Sequence, residues 1–139
     1  MTPDELAAIH AAAFTQSRPW SADEFATLLQ QPTTIIGQAT GSFALLRAVA
    51  GEAEVLTVAT HPDHRRNGHA RAALLQAEAQ AIGRDVDAVF LDVAEDNTAA
   101  IALYAALGYE RVGVRKHYYA RKTGNAVNAV LMRKSLAKS

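Results

Sequence analysis

The chain has 139 residues, with 14 basic and 14 acidic side chains and a formal net charge of zero. At ~150 residues per domain this makes residues 1–139 a single domain, and the balanced charge argues against direct binding of nucleic acid through bulk electrostatics. Hydrophobic residues make up 50%, yet 30 residues are alanine, so large apolar side chains are scarcer than the figure suggests, and cysteine is absent. The absence of cysteine excludes disulfides, thiolate nucleophiles and metal sites built on sulfur. Asp4 and Glu5 stand where a signal peptide needs basic residues, and the longest apolar run, Ala99 to Leu107, falls far short of the ~20 residues that span a bilayer. The expectation is a soluble cytoplasmic protein with no membrane partner.

In chain order, Thr2-Pro3-Asp4-Glu5 has the spacing of a capping box with proline at the first helical position, which predicts a helix to about Ala13. Ser21-Ala22-Asp23-Glu24 repeats the box and opens a second helix, stopped before Pro32. Arg18-Pro19-Trp20 between them reads as an extended linker. Thr33–Thr40 and Ser42–Ala50 read as a hairpin about Gly41, followed by a third strand over Glu54–Thr60 that ends at His61-Pro62. After a polar loop, Ala70, Ala73, Leu74, Ala77 and Ala81 recur at helical spacing up to a closing Gly83. Ala88–Val93 is nearly continuous in apolar residues, which predicts a strand buried on both faces. Asn97 caps a helix reaching Leu107, with Gly108 at its C-terminus, and Tyr109–Tyr119 and Val127–Lys134 close the chain as two strands around a turn at Thr123-Gly124-Asn125. This order of elements predicts a mixed α/β (α+β) sheet covered by helices.

The loop Arg65-Arg66-Asn67-Gly68-His69-Ala70 follows a strand and opens a helix. Its backbone N–H groups and the positive helix end form a candidate anion site, to which Arg65 and Arg66 add charge. The alternative is a solvated basic turn. His61, His64 and His69 have no metal-ligand spacing and no accompanying carboxylates, so no metal site is expected.

These segments together resemble a known family. Val58-Ala59-Thr60-His61-Pro62 followed by Arg65 to Ala70 is similar to the acetyl-CoA signature of the GNAT superfamily of N-acetyltransferases. Leu91-Asp92-Val93, Asn97, Ala99 to Tyr104 and Leu107-Gly108-Tyr109 match the motif holding that family's asparagine and tyrosine. Pro19-Trp20-Ser21 and Arg115 to Tyr119 narrow the resemblance to its RimI-type members, the ribosomal-protein alanine N-acetyltransferases.

The resemblance implies a GNAT fold: a mostly antiparallel sheet of about six strands flanked by about four helices, lacking the usual first strand. It implies acetyl-CoA as cosubstrate and, as acceptor, the N-terminal α-amine of a ribosomal protein, with alanine leading. Asp92 takes the position of the family's base and Tyr104 that of its general acid. Asn97 and the backbone of Val58, Ala59 and Thr60 hold the pantetheine arm and the thioester oxygen, while Arg65, Arg66, Asn67, Gly68, His69 and Ala70 hold the pyrophosphate. Trp20, Tyr118 and Tyr119 line the acceptor groove. A protein α-amine has a pKa of ~7.7–8, so a mild base suffices where a lysine at ~10.4 would demand more. On periodicity alone Tyr104 is a core aromatic and Asn97 a helix cap.

Three departures from the family pattern stand out. Asp92 is one methylene shorter than the usual glutamate, which points to a proton relay through water. Asn128 stands where related sequences commonly carry an acidic residue near the acceptor. The chain opens directly with a helix, which leaves one sheet edge open for another chain to cover. Acetylation of a small amine, or silent binding of acyl-CoA, are the competing readings; the first requires an enclosed acceptor pocket in place of an open groove beside Tyr118 and Tyr119. The oligomeric state is not set by the sequence.

Overall fold

Both capping boxes form. Thr2 and Glu5 exchange side-chain and backbone hydrogen bonds at the start of α1 (Pro3–Ala13), and Ser21 and Glu24 do the same for α2 (Ala22–Gln30). The computed structural model describes residues 1–14, 18–120 and 124–136. Thr123, the first residue of the turn anticipated from sequence, lies outside them. After the two helices come β1 (Thr34–Ala39), β2 (Ser42–Val49) and β3 (Glu52–Thr60). A single 3-10 turn (Pro62–His64) leads to α3 (His69–Gly83), then β4 (Ala88–Ala94), α4 (Thr98–Ala106), β5 (Glu110–Tyr119) and β6 (Val127–Ser135). The sheet order is β1-β2-β3-β4-β6-β5, and every neighbouring pair is antiparallel except β3 with β4.

Two hydrophobic layers flank the sheet. On one face α3 and α4 cover Ala44, Leu46, Val89, Leu91, Val93 and Val130; on the other α1 and α2 cover Phe43, Leu45 and Ala59. The second pair of helices does not reach β4, so Phe90 and Asp92 are only half-buried on that face. This corrects the expectation of a strand buried on both faces: β4 is fully covered on one side alone. Two boundaries also shift. The third strand begins at Glu52, because the tight turn is made by Ala50 and Gly51, and α3 runs through Gly83 to a C-cap at Arg84. The left-handed step that ends this helix falls on Asp85 (φ +61°) and not on the glycine.

The edge expected to lie open is closed from within. Gln38 N–H donates to Gln76 Oε1 (2.6 Å), Gln80 Nε2 donates to the Ile36 carbonyl (2.7 Å), and Arg84 donates to the carbonyls of Pro32 (2.7 Å) and Thr34 (3.4 Å). Gln76, Gln80 and Arg84 are spaced four apart along one stripe of α3, while Thr34, Ile36 and Gln38 are the alternate residues of β1 that face away from β2. The helix reaches the edge because β1 carries Gly37 beneath it: a Cβ there would lie 2.0 Å from the Ala73 carbonyl and 2.9 Å from the Ala77 Cβ. Glycine against two alanines lets the backbones approach, and three long side chains then do the work of a neighbouring strand.

On the opposite face the α1–α2 corner is an aromatic cluster around a buried histidine. His10 stacks on Trp20 (5.0 Å between centroids), touches Phe14 and Phe25, and accepts the Trp20 backbone N–H at Nδ1 (3.1 Å). Burial lowers its pKa to about 4.

Two outcomes are expected. Replacing Gln76, Gln80 and Arg84 together by alanine removes about 1–3 kcal/mol of stability and exposes a bare strand edge, so sedimentation should show concentration-dependent association absent from the parent chain. Because unfolded His10 takes up a proton near pH 6.5 and folded His10 only near 4, its contribution is complete above pH 6.5 and lost as pH falls towards 4. Urea titrations should therefore lose stability over that window with a slope approaching ~1.4 kcal/mol per pH unit, and His10→Leu should flatten it.

Candidate active site

The parallel pairing of β3 with β4 lasts three rungs: Glu52 with Ala88, Ala53 with Val89 and Glu54 with Phe90. From Val55 and Leu91 onward the strands part. Just past the last rung β3 is irregular, since Leu45 pairs with Thr57 and Leu46 with Val55, leaving Leu56 as an inserted bulge residue. Val58 packs into the layer under α3, and Ala59 is buried in the layer under α1 and α2. Thr60 Oγ1 shares a hydrogen bond with Ser42 Oγ (2.8 Å). The side chains of all three candidate residues are thus engaged in the sheet's faces, and the backbone edge from Val55 to Thr60 fronts a gap with no strand across it among the described residues.

At the mouth of the gap stands the basic loop. Gly68 is the N-cap of α3 in the left-handed conformation (φ +75°), with no side-chain cap on the first-turn N–H groups, and a Cβ at this position would meet nothing within 4 Å. The residue therefore supplies backbone geometry and open space together. Arg66 is also left-handed (φ +65°). Arg65 Nη2 donates weakly to the Ala13 carbonyl (3.4 Å), which ties the loop to the end of α1. His61 Nδ1 accepts the Asp63 N–H (3.1 Å), and the rings of His61, His64 and His69 follow one another at 6.2 and 5.9 Å. Among the described residues no group of three His, Cys, Asp or Glu is arranged to hold a metal.

Asp92 and Tyr104 stand on opposite faces of the sheet. Leu91 and Val93 share the α3–α4 layer with Tyr104, so Asp92 between them points the other way. There it lines a cleft of about 400 Å³ together with Arg47, Glu54, Phe90, Arg115 and Leu131. Burial raises the Asp92 carboxyl above its usual value; Arg115, 3.9 Å away, opposes this, and the Glu54 carboxylate adds to it. Tyr104 is buried, and burial pushes its phenol up to about 12, so it holds its proton throughout the neutral range. Its hydroxyl makes no hydrogen bond among the described residues. Asn97 caps α4 by accepting the Ala100 N–H at Oδ1 (3.1 Å), which leaves its side-chain NH₂ for a ligand.

Tyr119 reaches Asp92 directly, its hydroxyl donating to the Asp92 carbonyl (3.0 Å). Tyr118 is half-exposed beside it, edge-on to Tyr119 and with the Arg115 guanidinium 5.3 Å above its ring. The two tyrosines lie on a bulged stretch in which Lys116, His117 and Tyr118 together stand opposite Asn128. Asn128 Oδ1 accepts the N–H of His117, which is left-handed (φ +54°), so this asparagine holds the shape of the segment. Trp20 is part-exposed and committed to the His10 cluster. Glu54 was not singled out in the sequence. No local signal marks it, because its relation to Asp92 depends on β3 lying beside β4.

A three-rung parallel pair opens onto a free strand edge and is followed by a glycine-led helix start, and together with the family match this makes the chain an acyl-CoA-dependent transferase of the GNAT fold. The family model described as acetyltransferase (GNAT) family matches residues 3–109, and the chain belongs to this family. It is 33% identical over 136 residues to the [ribosomal protein bS18]-alanine N-acetyltransferase of Escherichia coli strain K12, covering 94% of this chain and 90% of that one. It is 33% identical over 123 residues to the N-alpha-acetyltransferase RimI of Mycobacterium tuberculosis, covering 81% of this chain and 75% of the relative. The crystal structure of the ribosomal-protein-S18-alanine N-acetyltransferase from Escherichia coli superimposes with a TM-score of 0.86 at 30% identity, over 99% of this chain and 89% of that one. The chain is an acetyl-CoA-dependent N-acetyltransferase. The residues present fit that cosubstrate: an unpaired strand edge matches the amides of a pantetheine arm, and the uncapped, glycine-led start of α3 beside Arg65 and Arg66 matches a pyrophosphate. No described helix is long and apolar enough to cross a membrane.

Proposed function

We propose that this enzyme, with residues 1–139 acting as one acetyltransferase domain, acetylates the N-terminal α-amine of a ribosomal protein that begins with alanine. The observation that carries the reading is a carboxylate in an open cleft on one face of the sheet and a protonated phenol on the other, either side of β4. The names borne by the relatives support the choice of acceptor. An open cleft bounded by half-exposed Arg115 and Glu54, beside a half-exposed Tyr118, suits an extended chain end better than a small enclosed amine.

Acetyl-CoA supplies the acetyl group as an activated thioester. Arg65 to Ala70 bind its pyrophosphate through backbone N–H groups and charge, and Asn97 with the edge of Val58, Ala59 and Thr60 aligns the arm. A backbone N–H of that edge faces the thioester oxygen, the kind of donor worth on the order of 3 kcal/mol in other enzymes. On the other face Tyr118 and Tyr119 flank the entering chain end. Asp92, one methylene shorter than the usual glutamate, takes the ammonium proton, by way of a water where its shorter reach requires it; its raised pKa brings it nearer to the amine it must deprotonate. Tyr104 holds its proton for the departing sulfur. The dry surroundings that make Tyr104 a weak acid also disfavour a naked thiolate, which offsets the mismatch.

Intact-mass and thiol-release assays with acetyl-CoA and peptides differing at residue one should label alanine-led ribosomal N-termini at the α-amine alone. Labelling of small amines with no peptide product would overturn the acceptor reading. Asp92→Asn should lower kcat/KM by about 10²-fold at pH 7, with the deficit shrinking above pH ~8 where the amine arrives already neutral. A constant deficit across pH would remove Asp92 as base. Tyr104→Phe should lower kcat by about 10²-fold with acetyl-CoA affinity nearly intact, and equal loss of both would make it a packing residue.

A further inference from the structure

Behind Tyr104 lies a buried charged network for which the chemistry above has no use. Glu78 on α3 is 4% exposed, an unusual place for a carboxylate. Its Oε2 accepts the Tyr109 hydroxyl (2.9 Å), and its Oε1 accepts Lys134 Nζ (2.6 Å) from β6. Tyr109 is itself 3% exposed and sits at the exit of α4, where its backbone N–H donates to the Tyr104 carbonyl (3.0 Å). Its ring meets the Tyr104 ring edge-on at 5.8 Å. Lys134 Nζ also lies 5.8 Å from the centre of the Tyr109 ring. Three elements that are far apart in the chain thus converge on one phenol, and that phenol touches Tyr104 through both backbone and ring.

Tyr104 needs such support. Its hydroxyl has no hydrogen-bond partner among the described residues, so nothing at its reacting end fixes its direction. The orientation must come from the ring's neighbours, and a displacement of about 1 Å at a reacting group costs up to 10²-fold in rate. A purely apolar neighbour would fill the same space. A hydroxyl locked to a buried carboxylate that is itself locked to an ammonium resists rotation as well as translation, and leaving either carboxylate oxygen unpaired in the interior is costly.

We propose that Tyr109, anchored by Glu78 and Lys134, is a positioning residue for Tyr104, setting the direction in which that phenol presents its proton. This rests on the role given above to Tyr104.

The test is a double-mutant cycle on the full chain, assayed with acetyl-CoA and an alanine-led peptide. Tyr109→Phe keeps the ring and loses the anchor; it should lower kcat about tenfold while the KM for acetyl-CoA stays within about twofold. In a Tyr104→Phe background the same change should alter kcat by less than about twofold, because the group being aimed is gone. Equal losses in both backgrounds, or a rise in KM that accounts for the loss, would overturn the proposal and leave Tyr109 as a structural residue. If Tyr104→Phe alone leaves kcat unchanged, the role of Tyr104 fails first and this inference falls with it, a result distinct from additivity. Should Tyr109→Phe melt below the assay temperature, Lys134→Gln loosens Glu78 without touching the ring pair. It should then show a loss of about threefold that depends on Tyr104 in the same way, and a loss independent of Tyr104 would count against the proposal.

Discussion

A parallel strand pair that is abandoned after three rungs governs the rest of this molecule. Backbone groups within a sheet are obligatory hydrogen-bonding groups, and a strand edge left bare in the interior is costly unless something pairs with it. β3 and β4 share rungs only from Glu52 to Glu54, and the six residues that follow on β3 present one edge to a gap. The gap is held open by what surrounds it. β2 keeps β3 in register to Thr60, and β6 keeps β4 in register to Ala94. A ligand with amides in an extended chain would complete the sheet, and the pantetheine arm has that form. The bulge at Leu56 falls at the first residues beyond the rungs, where β3 turns its backbone relative to the gap.

The same principle, met in the opposite way, explains the outer edge of the sheet. At β1 the sheet ends with no further described strand beside it, and there it does not wait for a ligand. Gly37 lets α3 sit close enough for Gln76, Gln80 and Arg84 to take up the exposed groups. One unpaired edge is closed by side chains and the other is the one proposed to receive acetyl-CoA, and both devices depend on α3. That helix begins with the uncapped turn at Gly68 and continues with the small residues that let it approach β1. It also carries Glu78, so the proposed anion site, the edge protection and the buried partner of Tyr109 all belong to one fifteen-residue helix.

Much of this was legible in the sequence because local chemistry decided it. Capping boxes at Thr2 and Ser21, the cap at Asn97 and the alanine periodicity of α3 are short-range signals, and each element appeared within a few residues of where they placed it. What could not be read was which elements lie side by side. Nothing in Glu54 to Thr60 marks Leu56 as an inserted residue, since a bulge is a property of two strands. The apolar run of Ala88 to Val93 looked covered on both faces, and the exposed side emerged only because α1 and α2 stop at β3. The stripe of Gln76, Gln80 and Arg84 was visible as a polar helix face, but a solvated face and an edge cap look alike until the neighbour is known. At the site, the resemblance supplied Asp92 and Tyr104, whereas Glu54, the Tyr119 contact and the Glu78 anchor required the fold.

Amide hydrogen exchange with and without saturating acetyl-CoA tests the central claim most directly. If the open edge of β3 pairs with the cosubstrate, amides within Val55–Thr60 and at the start of α3 from Gly68 gain protection, while those of Thr34–Ala39, already capped by α3, do not change. Binding that leaves Val55–Thr60 exchanging as before, with protection confined to other surfaces, would contradict the account.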